Sequence, residues 1–188
     1  NPFTTSEVTI GGIYIVRDPR NVISSLINHF SLEKDEALEM ILDQNRGIKS
    51  KDNNFATYTF LSSWANHFKS WTNIKNFKTL LIKYEDLQND NKKIFLNLIN
   101  FINNLLNNNQ GIDYQKFDKA IETTNFNFLK KKESEDGFLE AMFSEEKGKK
   151  VPFFNLGFKN NWKKNLDKEI IEKIEKNFQR EMKELKYL

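Results

Sequence analysis

The chain has 188 residues, of which 38% are hydrophobic and 13% aromatic, enough apolar surface for the core of one ordinary domain. It contains no cysteine and two histidines, which excludes disulfides and thiolate chemistry and leaves little room for a histidine-rich metal centre. With 29 Lys and Arg against 26 Asp and Glu, the net charge of +3 is only a weak indication of anionic partners. No apolar run approaches the roughly 20 residues of a membrane span and no signal peptide opens the chain, so we expect a soluble cytoplasmic protein.

A strand followed by two helices is predicted at the start of the chain. Ile13–Val16 is a short apolar run, preceded by two glycines and followed closely by Pro19, a pattern typical of a buried strand. Apolar residues at every fourth position then predict a helix from about Arg20. Ser31, with acidic residues at positions 35 and 36, predicts the start of a second helix.

A helix, a second strand and another helix are predicted in the middle of the chain. Thr79–Tyr84 has the composition of a strand, and a helix follows from about Asp90. The helix before this strand is predicted from apolar residues that alternate three and four positions apart, which are Leu61, Trp64, Phe68 and Trp71.

The C-terminal part is predicted to hold a short helix, a long loop and a final helix. The short helix lies around Phe117, and the pattern from Ser134 to Asn161 indicates irregular structure. Asp167 is predicted to cap one last helix. The apolar face of that helix consists of Ile171, Ile174, Phe178, Met182 and Leu185.

Strands that alternate with helices predict an α/β fold, a parallel sheet flanked by helices. Two strands are few for such a sheet, and the chain begins at Asn1 without a methionine. Both observations favour a polypeptide whose first strands are missing.

Two residues near the end of the first strand are candidates for binding a phosphate. Ligands of parallel α/β folds sit beyond the carboxyl ends of strands, and Arg17 directly follows the strand while Ser25 lies eight residues further on. A phosphate there would meet a guanidinium fork, the N–H groups of the helix start and a hydroxyl. The alternative is that Arg17 pairs with Asp18 or another acid and that Ser25 is a small packing residue. The sequence contains no nucleoside-triphosphate loop and no dinucleotide fingerprint.

Five segments, in the right order, resemble sulfotransferases that use 3′-phosphoadenosine-5′-phosphosulfate (PAPS). Ile13–Ser25 is similar to the segment in which an arginine after the strand and a serine eight residues later hold the 3′-phosphate. Ser63–Trp71 resembles the family's Ser-Trp-x-x-His-x-x-x-Trp helix, and Leu81–Leu87 resembles its Tyr-Glu-Asp-Leu strand end. Thr123–Lys130 resembles its Thr-Ser-Phe-x-x-Met-Lys stretch. Phe153–Lys163 resembles its Phe-Phe-Arg-Lys-Gly-x-x-Gly-Asp-Trp-Lys pattern.

The resemblance implies a P-loop-NTPase-like sulfotransferase fold, N-terminally incomplete, with residues 1–188 as the C-terminal portion of a single domain. It implies PAPS as the donor, the bisphosphate PAP as the product, a hydroxyl or amine acceptor and no metal. Tyr84 would lie near the adenine, and Thr124 and Phe126 would close over it. The donor-binding residues implied are Arg17, Ser25, Tyr84, Thr124, Phe126, Asn155, Leu156 and Gly157.

One departure from the family pattern concerns the 3′-phosphate loop. Where many members have Arg-Lys before the glycine, this chain has Asn155-Leu156, an alteration similar to that of some bacterial members. An arginine contact is lost, leaving the loop backbone near Gly157 and the amide of Asn155. In one interpretation, the lost positive charge is restored by Lys159 or by the Lys147–Lys150 cluster. In the other, these are solvated loop lysines.

A second departure concerns the catalytic groups. The family's phosphosulfate-binding loop, with its lysine, and its Lys-x-His base lie upstream of the 3′-phosphate segment. Only 16 residues precede Arg17 here, and they hold neither lysine nor histidine. We therefore expect no catalytic residue in this chain, with Ser25 at most an auxiliary group, and no sulfuryl transfer by the chain alone.

Several residues keep a structural alternative. Trp64 and Trp71 are interpreted as packing residues and His29 as a partly buried helix residue. His67 lies off the apolar stripe and is interpreted either as facing an acceptor cleft or as a surface or capping histidine. Tyr84 and Phe126 keep simple packing as an alternative to contact with the adenine.

Two other functional classes compete with a sulfotransferase. One is a non-catalytic nucleotide- or anion-binding domain that lacks the catalytic half. The other, a small nucleic-acid-binding protein, is disfavoured because the positive charge is neither clustered nor in clear excess. The acceptor, a small molecule or a glycan, and the oligomeric state are not fixed by the sequence.

Overall fold

The computed structural model describes residues 4–5, 7–48, 58–144 and 148–188, which fall into two compact units. The first unit contains the described residues of Asn1–Arg17 together with Trp71–Glu140 and Phe153–Gly157. The second contains those of Asp18–Ser70, Ala141–Pro152 and Phe158–Leu188. The expectation of a single domain stays a prediction.

Strands and helices are interspersed along the described part of the chain. The strands, numbered in chain order, are β1 (Gly11–Val16), β2 (Gly47–Ile48), β3 (Thr59–Phe60), β4 (Lys78–Lys83), β5 (Phe143–Ser144) and β6 (Lys149–Lys150). The helices are α1 (Pro19–Phe30), α2 (Lys34–Leu42), α3 (Trp64–Thr72), α4 (Tyr84–Asn89), α5 (Asn91–Leu105), α6 (Tyr114–Thr123), α7 (Phe126–Asp136), α8 (Trp162–Asn165), α9 (Lys168–Asn177) and α10 (Gln179–Glu184), and a short 3-10 turn spans Gly157–Lys159.

A parallel pair of strands forms the centre of the first unit. β1 and β4 pair in register from Gly11 opposite Lys78 to Val16 opposite Lys83, so their carboxyl ends lie level at one edge. Helices α4 and α5 pack near β4. The predicted α/β fold with a parallel sheet flanked by helices is confirmed.

Short polar side chains begin the other helices of this unit. Asp90 accepts a hydrogen bond from the backbone N–H of Lys93 (3.1 Å), and Asp113 accepts one from Lys116 (3.1 Å). At the start of α7, Asn125 accepts a hydrogen bond from the backbone N–H of Phe128 (2.9 Å). Each of these caps satisfies a donor that the first turn of a helix leaves without an internal partner.

Two sequence-based expectations for the first unit were wrong. Tyr84 does not end the second strand; it is the first residue of α4, where Glu85 and Asp86 favour a helix start. The region predicted as irregular from Ser134 also differs, because α7 continues to Asp136 and a β5–β6 hairpin follows in the second unit.

The second unit is built around a helical core. The side chains that form it come from α1, α2, α3 and the C-terminal helices, and the buried ones are Ile23, Ala37, Leu38, Ile41, Ala65, Leu166, Ile170, Ile174, Phe178 and Met182. The helices predicted to have an apolar face do contribute to this core, although the fully buried α1 residue in it is Ile23, and Val22 and Leu26 are only partly buried. Ile170 replaces Ile171 as the buried residue near the start of α9, since Ile171 is only partly buried.

Two helix boundaries in this unit differ from those predicted. Ser31 ends α1 in a left-handed conformation (φ 52°), and α2 begins at Lys34, where the side chain of Glu36 accepts from the backbone N–H of Glu33 (2.8 Å). The single last helix is interrupted at Phe178, between α9 and α10. No glycine or proline marks this break, so the sequence carries no breaker signal there.

A buried arginine ties the start of α1 to the C-terminal helices. The Arg20 guanidinium donates to Asp18 (2.7–3.2 Å), to Glu175 (2.6 Å) and to the backbone carbonyl of Tyr187 (2.8 Å). It also lies 4.0 Å from the ring centroid of Trp162. Arg20 and Asp18 are each 5% exposed, so this buried charge is well satisfied.

None of the helices in the described part of the chain is long and apolar enough to cross a membrane.

Candidate functional site

Arg17 and Tyr84 meet at the carboxyl ends of the two parallel strands. Each residue directly follows its strand, and the last paired residues are Val16 and Lys83. The Arg17 guanidinium carbon lies 4.4 Å from the centroid of the Tyr84 ring. An arginine that contacts an aromatic ring through the face of its guanidinium keeps the N–H donors in the guanidinium plane, where they are able to bind a carboxylate or a phosphate.

A second group of predicted residues surrounds the Phe153–Gly157 loop. One face of α7 contacts this loop, because Phe126, Lys130 and Glu133 follow one another four and three positions apart. The Glu133 carboxylate accepts from the backbone N–H groups of Phe153 (2.7 Å) and Phe154 (2.9 Å). The helix therefore holds the loop through its backbone.

Gly157 requires its lack of a side chain. Its φ of +51° is in the left-handed region, and a Cβ at this position would lie 2.6–2.7 Å from the Phe126 ring. Phe126 also contacts Phe154 edge to face, with ring centroids 6.1 Å apart. Packing against the loop is thus one established role of this half-buried ring, and contact with an adenine stays a prediction.

The altered loop positions have distinct surroundings. The backbone N–H of Asn155 donates to Phe153 (3.0 Å), and its carbonyl accepts from the Lys130 ammonium (2.8 Å). Leu156 is 36% exposed. Their contact with a phosphate stays a prediction.

Lys130 is the cation that the structure places on this loop. The interpretation of the sequence did not assign it a role, although it closes the Thr123–Lys130 segment and lies one helical turn after Phe126. Of the lysines proposed to restore charge, Lys147 lies outside the described residues. The others, Lys149, Lys150 and Lys159, belong to the second unit, and their role stays a prediction.

Thr124 lies at the end of α6, exposed, next to the cap of α7. Its hydroxyl donates to the carbonyl of Ala120 (2.6 Å), which also accepts from the backbone N–H of Thr124 (3.1 Å). Closure of Thr124 over the adenine stays a prediction.

Ser25 lies in the second unit, on α1, within a polar network. Its hydroxyl donates to the carbonyl of Asn21 (3.3 Å) and accepts from the side-chain amide of Asn160 (3.2 Å). Asn21 in turn accepts from the backbone N–H of Trp162 (3.0 Å). Ser25 is therefore a hydrogen-bonding residue of its unit, more than a small packing residue.

The expected contribution of the α1 start to phosphate binding was wrong. Pro19 has no N–H, the N–H of Arg20 donates to the Asp18 carboxylate (3.0 Å), and the next two N–H groups donate to the Asp18 carbonyl (2.9 and 3.0 Å). A buried carboxylate of the protein thus occupies the place that an anion would take at this helix end.

The histidines and tryptophans have mainly structural surroundings. Trp64 packs on Phe178 (5.2 Å between centroids), and Trp71 stacks on Tyr14 (5.5 Å), which confirms both as packing residues. His67 is half-buried, and burial lowers its pKa below the ordinary value of 6.5. Burial also raises the pKa of the Tyr14 hydroxyl.

Within the described ranges, no three or more His, Cys, Asp or Glu side chains come close enough together to hold a metal ion. The absence of a metal from the reaction stays a prediction.

The sulfotransferase domain family matches residues 7–186, so the chain belongs to this family, as its five segments predicted. Among curated proteins, it is similar to Sulfotransferase 1E1 of Cavia porcellus, with 31% identity over 124 residues that cover 64% of this chain and 39% of that protein. It is also similar to Amine sulfotransferase of Oryctolagus cuniculus, with 26% identity over 181 residues that cover 92% of this chain and 54% of that protein.

A solved structure supports the fold independently of close sequence similarity. The crystal structure of mouse sulfotransferase SULT7A1 complexed with PAP matches 90% of this chain and 57% of its own, with a TM-score of 0.58 and 18% identity. The sulfotransferase fold is thereby confirmed. These relatives are mammalian, each is matched over little more than half of its length at most, and a bacterial type stays a prediction.

Proposed function

We propose that this chain carries the adenosine-3′-phosphate part of the donor site of a PAPS-dependent sulfotransferase. The observation that carries the proposal is the Arg17 guanidinium stacked on Tyr84, 4.4 Å away, at the joined carboxyl ends of two parallel strands. Family membership over residues 7–186 supports it. The mouse structure matched by the fold is itself a complex with PAP.

The residues present suit a nucleotide with a 3′-phosphate. Arg17 offers a planar fork for phosphate oxygens, and Tyr84 and Phe126 offer aromatic surface for a base. The loop ends at Gly157, which has no side chain of its own and lies against the Phe126 ring. Ser25 is assigned by resemblance alone.

The donor, when bound, supplies an activated sulfuryl group for an acceptor hydroxyl or amine. The residues of this chain would bind and orient its nucleotide end, which places the sulfuryl group at a fixed position relative to the acceptor. Because residues 1–16 hold neither lysine nor histidine, the chain alone is proposed to bind nucleotide without transferring the sulfuryl group.

Adenosine 3′,5′-bisphosphate should stabilise the folded chain, and adenosine 5′-monophosphate should do so less. At about 100 times its dissociation constant, the bisphosphate should raise the free energy of unfolding by about 2.7 kcal/mol, measured from urea or thermal unfolding. Arg17→Ala removes a charge-assisted contact and should weaken bisphosphate binding by about 1.5–3 kcal/mol in a calorimetric titration.

Arg17→Lys is the matched control, because it keeps the charge but loses the planar fork, and its loss should be smaller. A cooperatively unfolding chain that is not stabilised by the bisphosphate would contradict the proposed function. An Arg17→Ala variant that binds as tightly as the parent would remove Arg17 from the site.

The alternative is a nucleotide- or anion-binding domain without catalysis, for which the arginine–tyrosine pair would serve equally well. The coding sequence upstream of Asn1 distinguishes the two. A Lys- and Ser/Thr-containing loop and a Lys-x-His shortly before Asn1 would support the enzyme, and an initiation codon directly before Asn1 would support the binding domain.

A further inference from the structure

We propose that Lys130 of α7 supplies a positive charge for the 3′-phosphate. The Asn155-Leu156 loop has no such charge of its own. This inference rests on the proposed function. It concerns a residue outside the loop, and it follows from how α7 holds the loop in the first unit.

The position of the ammonium is set by the loop backbone. Lys130 Nζ donates to the carbonyl oxygen of Asn155 at 2.8 Å, which places the charge at the first of the two altered loop positions. An ammonium has three N–H donors, so this one bond leaves donors for phosphate oxygens. The side chain is exposed, and the carbonyl it contacts is neutral, so the contact does not cancel its charge.

Two of the three acidic residues of α7 have partners other than Lys130. Glu133, one turn after Lys130, accepts from the N–H groups of Phe153 and Phe154 at 2.7 and 2.9 Å. Glu135 lies 3.7 Å from Lys131, its partner four positions earlier. The helix thus directs one carboxylate to the loop backbone and another to a neighbouring lysine, and it directs Lys130 to the loop carbonyl.

The surroundings of the ammonium match the proposed ligand. Lys130 Nζ lies 5.7 Å from the centroid of the Phe126 ring, and that ring also lies against Gly157. A cation, an aromatic ring and a glycine backbone therefore border the same short loop. A compact ammonium suits a tetrahedral phosphate, for which a planar fork is not required.

The test compares two nucleotides on the 188-residue chain and its variants. Calorimetric titrations at low salt measure the dissociation constants of adenosine 3′,5′-bisphosphate and adenosine 5′-monophosphate. Lys130→Gln should raise the dissociation constant of the bisphosphate about tenfold or more, because the bisphosphate carries the 3′-phosphate. The dissociation constant of the monophosphate, which lacks this group, should not change. Lys130→Arg, which keeps the charge, should retain the preference for the bisphosphate.

Lys131→Gln is the matched control, because it removes the adjacent lysine of the same helix, and it should change neither constant. If the parent prefers the bisphosphate and Lys130→Gln keeps that preference in full, the assignment of Lys130 is overturned while the proposed function stands. If the parent binds neither nucleotide, both are overturned. An equal loss with Lys131→Gln would show general attraction by a basic helix and would also overturn the assignment.

Discussion

Arg17 and Arg20 stand three residues apart in the sequence but carry their charge in different surroundings. The Arg20 guanidinium is enclosed by Asp18, Glu175 and a backbone carbonyl. Burial lowers the pKa of Arg20, but hydrogen bonds and charge from the two acids outweigh it, and the net pKa is raised. The Arg17 guanidinium carbon instead lies over the ring of Tyr84, 4.4 Å from its centroid. Two arginines close together in the sequence therefore have different surroundings, which residue type alone does not reveal.

His67 should make the stability of the protein depend on pH on the acid side. Burial lowers its pKa in the folded state below the ordinary 6.5, so the unfolded chain binds the proton more tightly. The free energy of unfolding should be constant above about pH 7.5 and should fall as the pH drops below about 6.5 toward the lowered folded-state pKa.

Urea unfolding of the parent and of His67→Gln between about pH 5 and 8 measures this effect, and the variant should lose part of the acid-side decline. His29→Gln, which removes the other histidine, is the matched control and should retain the part due to His67. Identical pH profiles for the parent and His67→Gln would show that His67 does not contribute.

Elements with a local pattern were predictable from the sequence, and elements held by distant contacts were not. β1 was predictable from a local apolar run, and α5 was predictable from the apolar stripe that follows its capping residue Asp90. α7 has apolar residues only in its first turn, so the sequence shows no apolar helical stripe that would predict this helix. Its contacts to the loop come from residues 20 to 25 positions away. A helix supported in this way cannot be found by periodicity.

The Arg20 cluster should be a major support of α1, α8 and α9. Arg20→Met leaves Asp18 buried without its cation, which should lower the free energy of unfolding by about 3–5 kcal/mol in urea titrations. Arg180→Met, at an exposed position of α10, is the matched control and should change it by less than about 0.5 kcal/mol. A loss below about 1 kcal/mol in Arg20→Met would contradict this role.

For the whole molecule, the resemblance of the five segments predicted the family and the fold, and the contacts within the site required the structure. Arg17, Tyr84 and Phe126 were named as candidates because they stand at fixed places in recognisable motifs, and their contact with a donor stays a prediction. Lys130 and Glu133 were not, because their partners lie on the Phe153–Gly157 loop. Arg20 bonds Glu175 across 155 positions of sequence, which no local pattern reveals.

The sheet of the first unit should make the isolated chain self-associate. In the described residues β1 pairs with β4 alone, and Ile13 and Ile15 of β1 are 41% and 53% exposed. A strand edge with exposed apolar side chains is a template for pairing with another chain. Sedimentation velocity should therefore show larger species as the protein concentration rises.

Ile15→Lys should shift this distribution toward the monomer, because a charge at an edge strand opposes pairing. Leu139→Lys, at a fully exposed leucine outside the sheet, is the matched control and should leave it unchanged. A parent that stays monomeric at all concentrations, or a control that acts like Ile15→Lys, would contradict the role of the edge.

The level ends of β1 and β4 have a consequence for measurements on this protein. A slip of one residue between the strands would bring Arg17 opposite Glu85 in place of Tyr84, and it would exchange the two faces of the moved strand. A chain paired in this way could keep much of its helix content and its circular dichroism, yet it would lack the arginine–tyrosine pair. Under the proposed function, the number of nucleotides bound per chain would count the correctly paired molecules in a preparation, which a spectrum of secondary structure would not.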